Sequence, residues 1–589
     1  EGTTANASGS FCFNFHSGDS KKIVASYVGY TPFEEEIKFI RDSIYLEITL
    51  QEKKNDLGEV VITAGHFAAS DEKKSPVLSK LDIATSSGGF GDIYEAVATM
   101  PGTSITADEG GLMVRGGERY ETATFIDGML ASNAFTVKLP TVPVRGRFSP
   151  MLFRGTVFST GGYSAEYGQA LSSALILKSI ALPKKEETFF SLNSAGMYFS
   201  KSIASNRSYF STTTNYNNLA PVYQVVELNR AWNDPPETIS ENLVYRHKIG
   251  KTGLLKSMAA LNYDQCGLWL ENLDRQEKEL YDMRNMTLYQ NTTYKDKIFG
   301  SWLIHAGLAT GFDRLNMGLN DTANVNDQNI TGALKLSVSG AVNDYLSINT
   351  GGNLDLKKLH RTYRSENLID PFKTGCQGAI GALFLEADLE ITERLLSRLG
   401  ARFEMLSLNQ ETYVSPRLSM AYKTSKNSQL SVAYGGFRQQ AQNKFIIYAP
   451  DLKSERAKHF IAGFQYIKES RIFRIEGYHK NYNQLITYTS PHAIEPEAYN
   501  NKGKGYARGL DLFFRDSKSI RNADFWITYS LMDSKRNYRD FPKALTPGYI
   551  SRHNLAFTYK QYIPQTASYV SVGLKYASGR PYINPNIST

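Results

Sequence analysis

The sequence predicts a mainly β chain whose second two-thirds is a transmembrane antiparallel β-barrel. Three observations predict it. From Thr188 to Tyr582, segments of about ten residues alternate apolar with polar or small side chains. The connections between these segments alternate short and long, the rhythm of barrels with brief turns at one rim and longer loops at the other. No run of about 18 apolar residues is present, so no helix is predicted to cross a bilayer, whereas a spanning strand needs only about 10 residues. A large soluble sandwich would share the two-residue period; the spacing of the connections favours the barrel.

Composition agrees. The chain has 589 residues, far more than one ordinary domain. Its formal charge of +8 is spread along the sequence rather than gathered in a basic tract, which excludes a clustered nucleic-acid footprint. Counts of 36 Tyr and 31 Phe would furnish aromatic girdles. The three cysteines, Cys12, Cys266 and Cys376, have neither zinc spacing nor CxxC. Cys266 and Cys376 fall near predicted outer loops, where a disulfide or two free thiols are the alternatives.

In chain order, residues 1–56 alternate strand and turn and read as a small β-sandwich, entered part-way through. Leu57–Ala64 is a β-prone run in a linker. Left bare it is an exposed strand edge, and the same property lets it add to the sheet edge of a partner. Ile93–Met100 reads as a short helix stopped by Pro101-Gly102. Gly110–Ser179 reads as a compact β-rich unit. Val114-Arg115-Gly116-Gly117 is a strand end running into a glycine pair, and Phe125–Met129 is a short strand closed by an Asp127-Gly128 turn.

In the barrel, Leu418, Met420 and Tyr422 alternate with Arg417, Ser419 and Ala421, and Val570, Val572, Leu574 and Tyr576 with Ser571, Gly573 and Lys575. Short turns are expected at 250–253, 295–299, 342–344, 423–427, 468–471, 517–522 and 562–566. Long loops are expected at 265–283, 312–328, 357–376, 438–453, 489–504 and 534–550. With both ends of a bacterial barrel on one side, 187–217 must hold three strands. The strand ending near Ala577 is then about the nineteenth.

No catalytic chemistry is legible. The nine histidines form no HExxH or HxH, no GxxxxGK[ST] is present, and GYSAEYG lacks GxSxG. No catalytic residue, metal site or cofactor is predicted, and the chain is read as not an enzyme.

Three elements in order, VRGG (114–117), IDGM (126–129) and GGYSAEYGQALSSALILKS (161–179), resemble the plug domain of TonB-dependent outer-membrane receptors. The SYVGY and ITLQE segments resemble the carboxypeptidase-regulatory-like domain that precedes such plugs in the Bacteroidetes branch. The resemblance implies a regulatory-like sandwich (1–56), a TonB box (57–64), a plug (65–182) and a barrel (183–589). The family barrel has twenty-two strands, so about three would be missing C-terminally. Glu59, Val60, Val61, Ile62, Thr63 and Ala64 match the TonB-box pattern. Arg115, Gly116, Gly117, Asp127, Gly128 and Glu166 fall in the plug core. Arg115 is expected to pair with a carboxylate in the plug or on the barrel wall, with Glu166 one candidate; direct ligand contact is the alternative.

The implied function is active import of a large or scarce ligand, such as a siderophore, a cobalamin-like molecule or an oligomeric nutrient. The implied partners are TonB with its inner-membrane ExbB/ExbD motor, outer-membrane lipids and an unidentified extracellular ligand. The implied location is the bacterial outer membrane, with plug and N-terminal domain on the periplasmic side. Candidate ligand contacts in the predicted outer loops are Trp269, Arg361, Tyr363, Arg438 and Tyr448. Two rivals are a glycan or peptide importer with a surface lipoprotein lid, and a non-transporting signal transducer or component of a surface complex.

Overall fold

The fold was taken from a computed structural model. It describes residues 91–105, 111–136, 144–183, 186–225, 231–272, 277–300, 302–320, 322–366, 368–490, 493–566 and 568–581, with short pieces at 10–12, 21–25, 33–37, 45–49, 78, 82–83 and 85–86. The expected TonB box, Glu59–Ala64, and most of the N-terminal sandwich lie outside the described residues. Residues 1–60 with 72–74 form one compact unit, and 61–71 with 75–589 another. In the first, β1 (Lys21–Ala25) and β2 (Phe33–Ile37) pair antiparallel.

The larger unit holds a plug and a barrel. The helix α1 (Ile93–Val97) starts where Asp92 caps it, accepting from the amides of Tyr94 at 2.7 Å and Glu95 at 3.3 Å. It ends before Pro101 and Gly102, the latter at φ +76°. β3 (Thr103–Ser104) pairs with β4 (Met113–Val114). A four-stranded sheet follows, built from β5 (Thr122–Ile126), β6 (Met129–Leu130), β7 (Phe153–Ser159) and β8 (Ser173–Ser179). Its order is β6-β5-β8-β7, with β5 and β8 parallel. Every residue of β5 is buried, so this strand is covered on both faces, with the hydroxyls of Thr122 and Thr124 bonded to Ser173 and Tyr94.

Among the described residues, nineteen antiparallel strands then run in chain order round a closed barrel. They begin with β9 (Thr188–Asn193), β10 (Gly196–Ala204), β11 (Ser208–Asn218), β12 (Ala231–Ile249), β13 (Gly253–Asn272) and β14 (Glu277–Ile298). The helix α2 (Ala220–Val225) lies between β11 and β12. Next come β15 (Trp302–Leu319), β16 (Ala323–Asn343), β17 (Leu346–Ser365), β18 (Phe372–Thr392), β19 (Leu395–Leu406) and β20 (Glu411–Lys423). After β21 (Ser428–Gln439) comes a helical turn, α3 (Asn443–Ile446), then β22 (Glu455–Lys468), β23 (Arg471–Tyr488) and β24 (Tyr499–Asp516). The set ends with β25 (Ala523–Asn537), β26 (His553–Ile563) and β27 (Ser568–Ala577). Ring order sets β27 beside β9, although the described residue pairs run only from β9 to β27; both of these strands are exposed on both faces.

Burial alternates along the other strands. In β20, Tyr413, Ser415, Arg417 and Ser419 are buried, while Val414 and Leu418 are exposed outward. Outward apolar and inward polar side chains are what a lipid-embedded, polar-filled barrel requires. The three strands in 187–217 and the short turns after Ile249, Lys423, Lys468 and Asp516 fall where the sequence puts them.

Three expected long loops do not exist as loops. β13 runs to Asn272, β15 to Leu319 and β17 to Ser365, so 265–283, 312–328 and 357–376 are mostly strand. The reason is amplitude: beyond the bilayer a strand is wetted outside as well as inside, and its hydropathy alternation fades while its pairing continues. Among the described residues the longest connections are 440–454 and 538–552, and the expected 489–504 shortens to 489–498 because β24 begins at Tyr499. Cys266 in β13 and Cys376 in β18 are free thiols, as is Cys12, so the disulfide is excluded: they sit on strands that are not neighbours.

Candidate functional site

The interior of the barrel is a ring of buried polar contacts between plug and wall, and the VRGG turn is its most heavily bonded point. Arg115 is 1% exposed. Its Nε donates to Asp511 of β24 at 2.7 Å and its Nη2 to Glu476 of β23, while the guanidinium lies 4.6 Å from the ring of Tyr478. Glu166 is not its partner; that carboxylate pairs with Lys335 of β16 and accepts from Asn349. The turn needs its glycines. Gly116 sits at φ +75°, and a Cβ there would lie 2.6 Å from the Cβ of Ala507. A Cβ on Gly117 would lie 2.3 Å from the hydroxyl of Ser172.

A second cluster stands beside the first. Arg536 of β25 pairs with Glu121, both fully buried, and donates to the Gly116 carbonyl at 2.7 Å. Tyr538 and Arg539 bind Glu118. Lys480 of β23 donates to the Ser172 hydroxyl at 2.7 Å, and that hydroxyl donates to the Val114 carbonyl. Arg536 and Arg539 are matched by carboxylates, the condition for burying a charge, whereas the fully buried Lys480 is held by the hydroxyl and carbonyl of Ser172.

The IDGM turn is held at another part of the ring. Asp127 (φ +48°) and Gly128 (φ +87°) form the tight turn the sequence predicts. Asp127 accepts from the Ser179 amide at 3.0 Å and from Lys256 of β13 at 3.1 Å. Lys335 donates to the Gly128 carbonyl at 3.0 Å and Asn291 to that of Ile126 at 2.8 Å. His305 faces this turn, 2.9 Å from where a Cβ on Gly128 would lie, so it is a lumen residue. Between the two anchors, wall arginines donate to plug carbonyls: Arg417 to Tyr163 and Ser164, Arg402 to Ala165 and Glu166.

Burial raises the Asp127 carboxyl, but Lys256, Ser179 and Arg246 outweigh it and hold the group down at about 2. A carboxyl depressed below its ordinary value of about 4 contributes stability that is complete above that value and is lost as pH falls towards the depressed one. Amide exchange of residues 122–130 is therefore expected to speed up between about pH 4 and 2. The Asp127→Asn variant should lack that step, and an identical step in the variant would rule this group out as its source.

Four of the five expected loop contacts lie on strands: Trp269 in β13, Arg361 and Tyr363 in β17, and Arg438 in β21. Only Tyr448 lies in a loop, 440–454. Trp269 faces the wrong way. Asp264, Cys266 and Leu268 are buried, so the odd-numbered Trp269, 37% exposed, points out of the barrel. The others converge at the long-loop rim. Arg361 is bidentate to Asp327 at 2.6 Å for each bond and donates to the Tyr448 hydroxyl at 3.0 Å. Arg438 binds Glu411 at 2.8 Å and lies 4.0 Å over Tyr413. Loop 440–454 is packed inward by a cluster that includes Phe445, Ile446, Leu452, Ile486 and Tyr499. At the root of this loop, Gln439 bonds the Tyr120 carbonyl at 2.6 Å and the Leu171 amide at 3.1 Å. The Gln440 amide donates to Gln169 at 2.9 Å. The mouth is thus wired to the plug. Among the described residues, no group of three His, Cys, Asp or Glu is placed to hold a metal ion.

Comparison with known proteins places this architecture. Residues 188–589 match the family model for the TonB dependent receptor-like β-barrel, and residues 1–62 match the CarboxypepD_reg-like domain. No curated protein sequence matches the chain. Among solved structures, the chain is similar to the FrpB iron transporter from Neisseria meningitidis (TM-score 0.64, 12% identity, covering 84% of this chain and 85% of that one). It is also similar to a mutant of the ferric enterobactin receptor PfeA from Pseudomonas aeruginosa (0.61, 12%, 85% of each) and to the siderophore receptor PiuA from Acinetobacter baumannii (0.62, 11%, 86% and 89%). At such identities the likeness is one of fold. The family match spans more than half of the sequence, and the chain belongs to the TonB-dependent receptors, outer-membrane proteins built on this barrel.

Proposed function

We propose that the chain imports a scarce or bulky anionic ligand across the outer membrane by TonB-driven remodelling of its plug. The observation that carries this reading is the join between plug and wall. Beside apolar contacts such as Phe148 with Tyr289 and Tyr163 with Phe437, it is built of paired charges and of bonds to main-chain carbonyls, contacts that water can replace and that can re-form after displacement. On this reading the loop rim faces outward, Glu59–Ala64 is the TonB box in the periplasm, and ExbB/ExbD energise TonB. A β-prone segment of this kind supplies the main-chain donors and acceptors for adding a strand to a partner.

The mouth supports an anionic ligand. Arg361 and Arg438 are engaged by Asp327 and Glu411, and a ligand with acidic or chelating oxygens would compete for those guanidiniums. Displacing Asp327 loosens Tyr448 and with it the loop whose root holds the plug at Tyr120 and Gln169. Such coupling is what ligand binding must supply, because a ligand indifferent to the two states shifts neither. Tyr363 completes the inward face of β17 beside Arg361. The printed names of the structural neighbours make ferric siderophores the first class to try.

Uptake and surface binding of a panel of radiolabelled ferric siderophores would test this in cells carrying the wild type or a chain lacking 59–64. Import predicts binding by both and uptake by the wild type alone. Binding without uptake in the wild type would leave a signalling receptor, and recovery of the chain with a surface lipoprotein would turn the reading towards glycans or peptides.

A further inference from the structure

The outer surface of one sector of the barrel carries a charge pattern that transport does not use. On β14 to β18 the alternate, outward positions are apolar through the middle: Leu288, Leu308, Leu334, Leu356 and Leu383 are each at least 40% exposed. On β16 this band runs from Ile330 to Val342, roughly 40 Å along the strand and about 30 Å in height at barrel tilt.

Directly above it, towards the long-loop rim, the outward positions turn basic. Cross-strand register ranks them in successive rows. Leu288, Phe312, Ile330 and Lys358 share the first; Met286, Arg314, Gln328 and His360 the second; Arg284, Asn316, Asn326, Thr362 and Lys373 the third. Arg364 stands one row higher, opposite Asn324. All five Lys and Arg side chains are exposed. Among the described residues the only ion pair in this patch is Arg284 with Asp282, at 3.8 Å.

The other rim of the same five strands is different. Its outward positions are Tyr294, Asp296, Trp302, Val342, Ile348, Leu389 and Ile391, with no Lys or Arg among them. A generic snorkelling fringe would decorate both edges of the apolar band; here the positive charge is confined to one.

We infer that Arg284, Arg314, Lys358, Arg364 and Lys373 form a docking surface for the phosphate groups of an anionic lipid in the leaflet at the long-loop rim. Guanidiniums and ammoniums set within a few residues of the apolar edge lie at headgroup depth. Juxtamembrane charges of this kind contribute additively, and the acyl chains of the same lipid lie along Leu288, Ile330 and Leu356 below. The inference rests on the outer-membrane location of the family and not on the import reading, since none of these side chains faces the lumen.

The test measures lipid retained by the purified full chain after exchange from nanodiscs containing diphosphoryl lipid A, fully dephosphorylated lipid A or phosphatidylcholine, read by native mass spectrometry. The wild type should retain the diphosphoryl form at least tenfold over the dephosphorylated one, and 0.5 M NaCl should abolish most of that preference. Replacing Arg314, Lys358, Arg364 and Lys373 together by Gln should remove the preference while leaving the heat-modifiable mobility of the folded barrel unchanged. Equal retention of phosphorylated and dephosphorylated lipid by the wild type, an assay that needs no variant, would overturn the inference. So would an unchanged preference in the quadruple variant, or full competition by millimolar inorganic phosphate, which would make the patch a soluble-anion site.

Discussion

Arg115→Ala is expected to loosen the plug by about 3–5 kcal/mol, the scale for removing one partner of a buried pair. The loss leaves Glu476 and Asp511, 3% and 2% exposed, facing each other with no cation between them. Hydrogen exchange of residues 111–126 should rise by two or more orders of magnitude while the barrel strands keep their protection. The triple variant Arg115→Met, Glu476→Gln, Asp511→Asn removes charge from all three and should recover most of the loss. If the triple variant exchanges as fast as the single one, lost packing and not uncompensated charge is the cause.

Gly116→Ala should act at the same turn by a different route. A side chain at φ +75° costs about 1–2 kcal/mol, and the 2.6 Å approach to Ala507 adds an overpacking cost of about 1–3 kcal/mol. Adding Ala507→Gly relieves only the second. The double variant should therefore recover part of the plug's protection and no more. Full recovery would mean that the left-handed backbone carries no cost here, and no recovery would mean that the wall is not what constrains the turn.

The fold was legible because a period of two is a direct print of a sheet with different media on its faces. Leu418, Met420 and Tyr422 against Arg417 and Ser419 show it, and counting such segments leads to nineteen. The print fades where both faces meet water, and Trp269 illustrates the consequence: once its stretch was read as a loop, the parity that turns it outward could not be applied. The anchors were half legible. VRGG and IDGM marked the plug side, because glycine pairs and Asp-Gly turns signal tight backbone. Their wall partners were not, since Glu476 and Asp511 lie 361 and 396 positions from Arg115. Which of nineteen strands meets a given turn depends on how the plug is rotated in the barrel, a quantity no local pattern encodes. An inward acid beside a small residue, as in Glu476-Gly477, is the kind of trace such a partner leaves in the sequence.

The arginines of β19 and β20 have an evolutionary consequence. Arg402 and Arg417 grip the backbone oxygens of residues 163–166, and Arg417 also lies 4.7 Å from the ring of Tyr163. Lineages cannot rewrite that buried segment freely, because Ser164 bonds Glu386 and Glu166 pairs with Lys335, so its side chains are fitted to the wall as well. Drift on the inner piece and on the enclosing one should therefore be coupled: a change at either partner of such a pair calls for a matching change in the other, and a foreign stopper would need its own clasp.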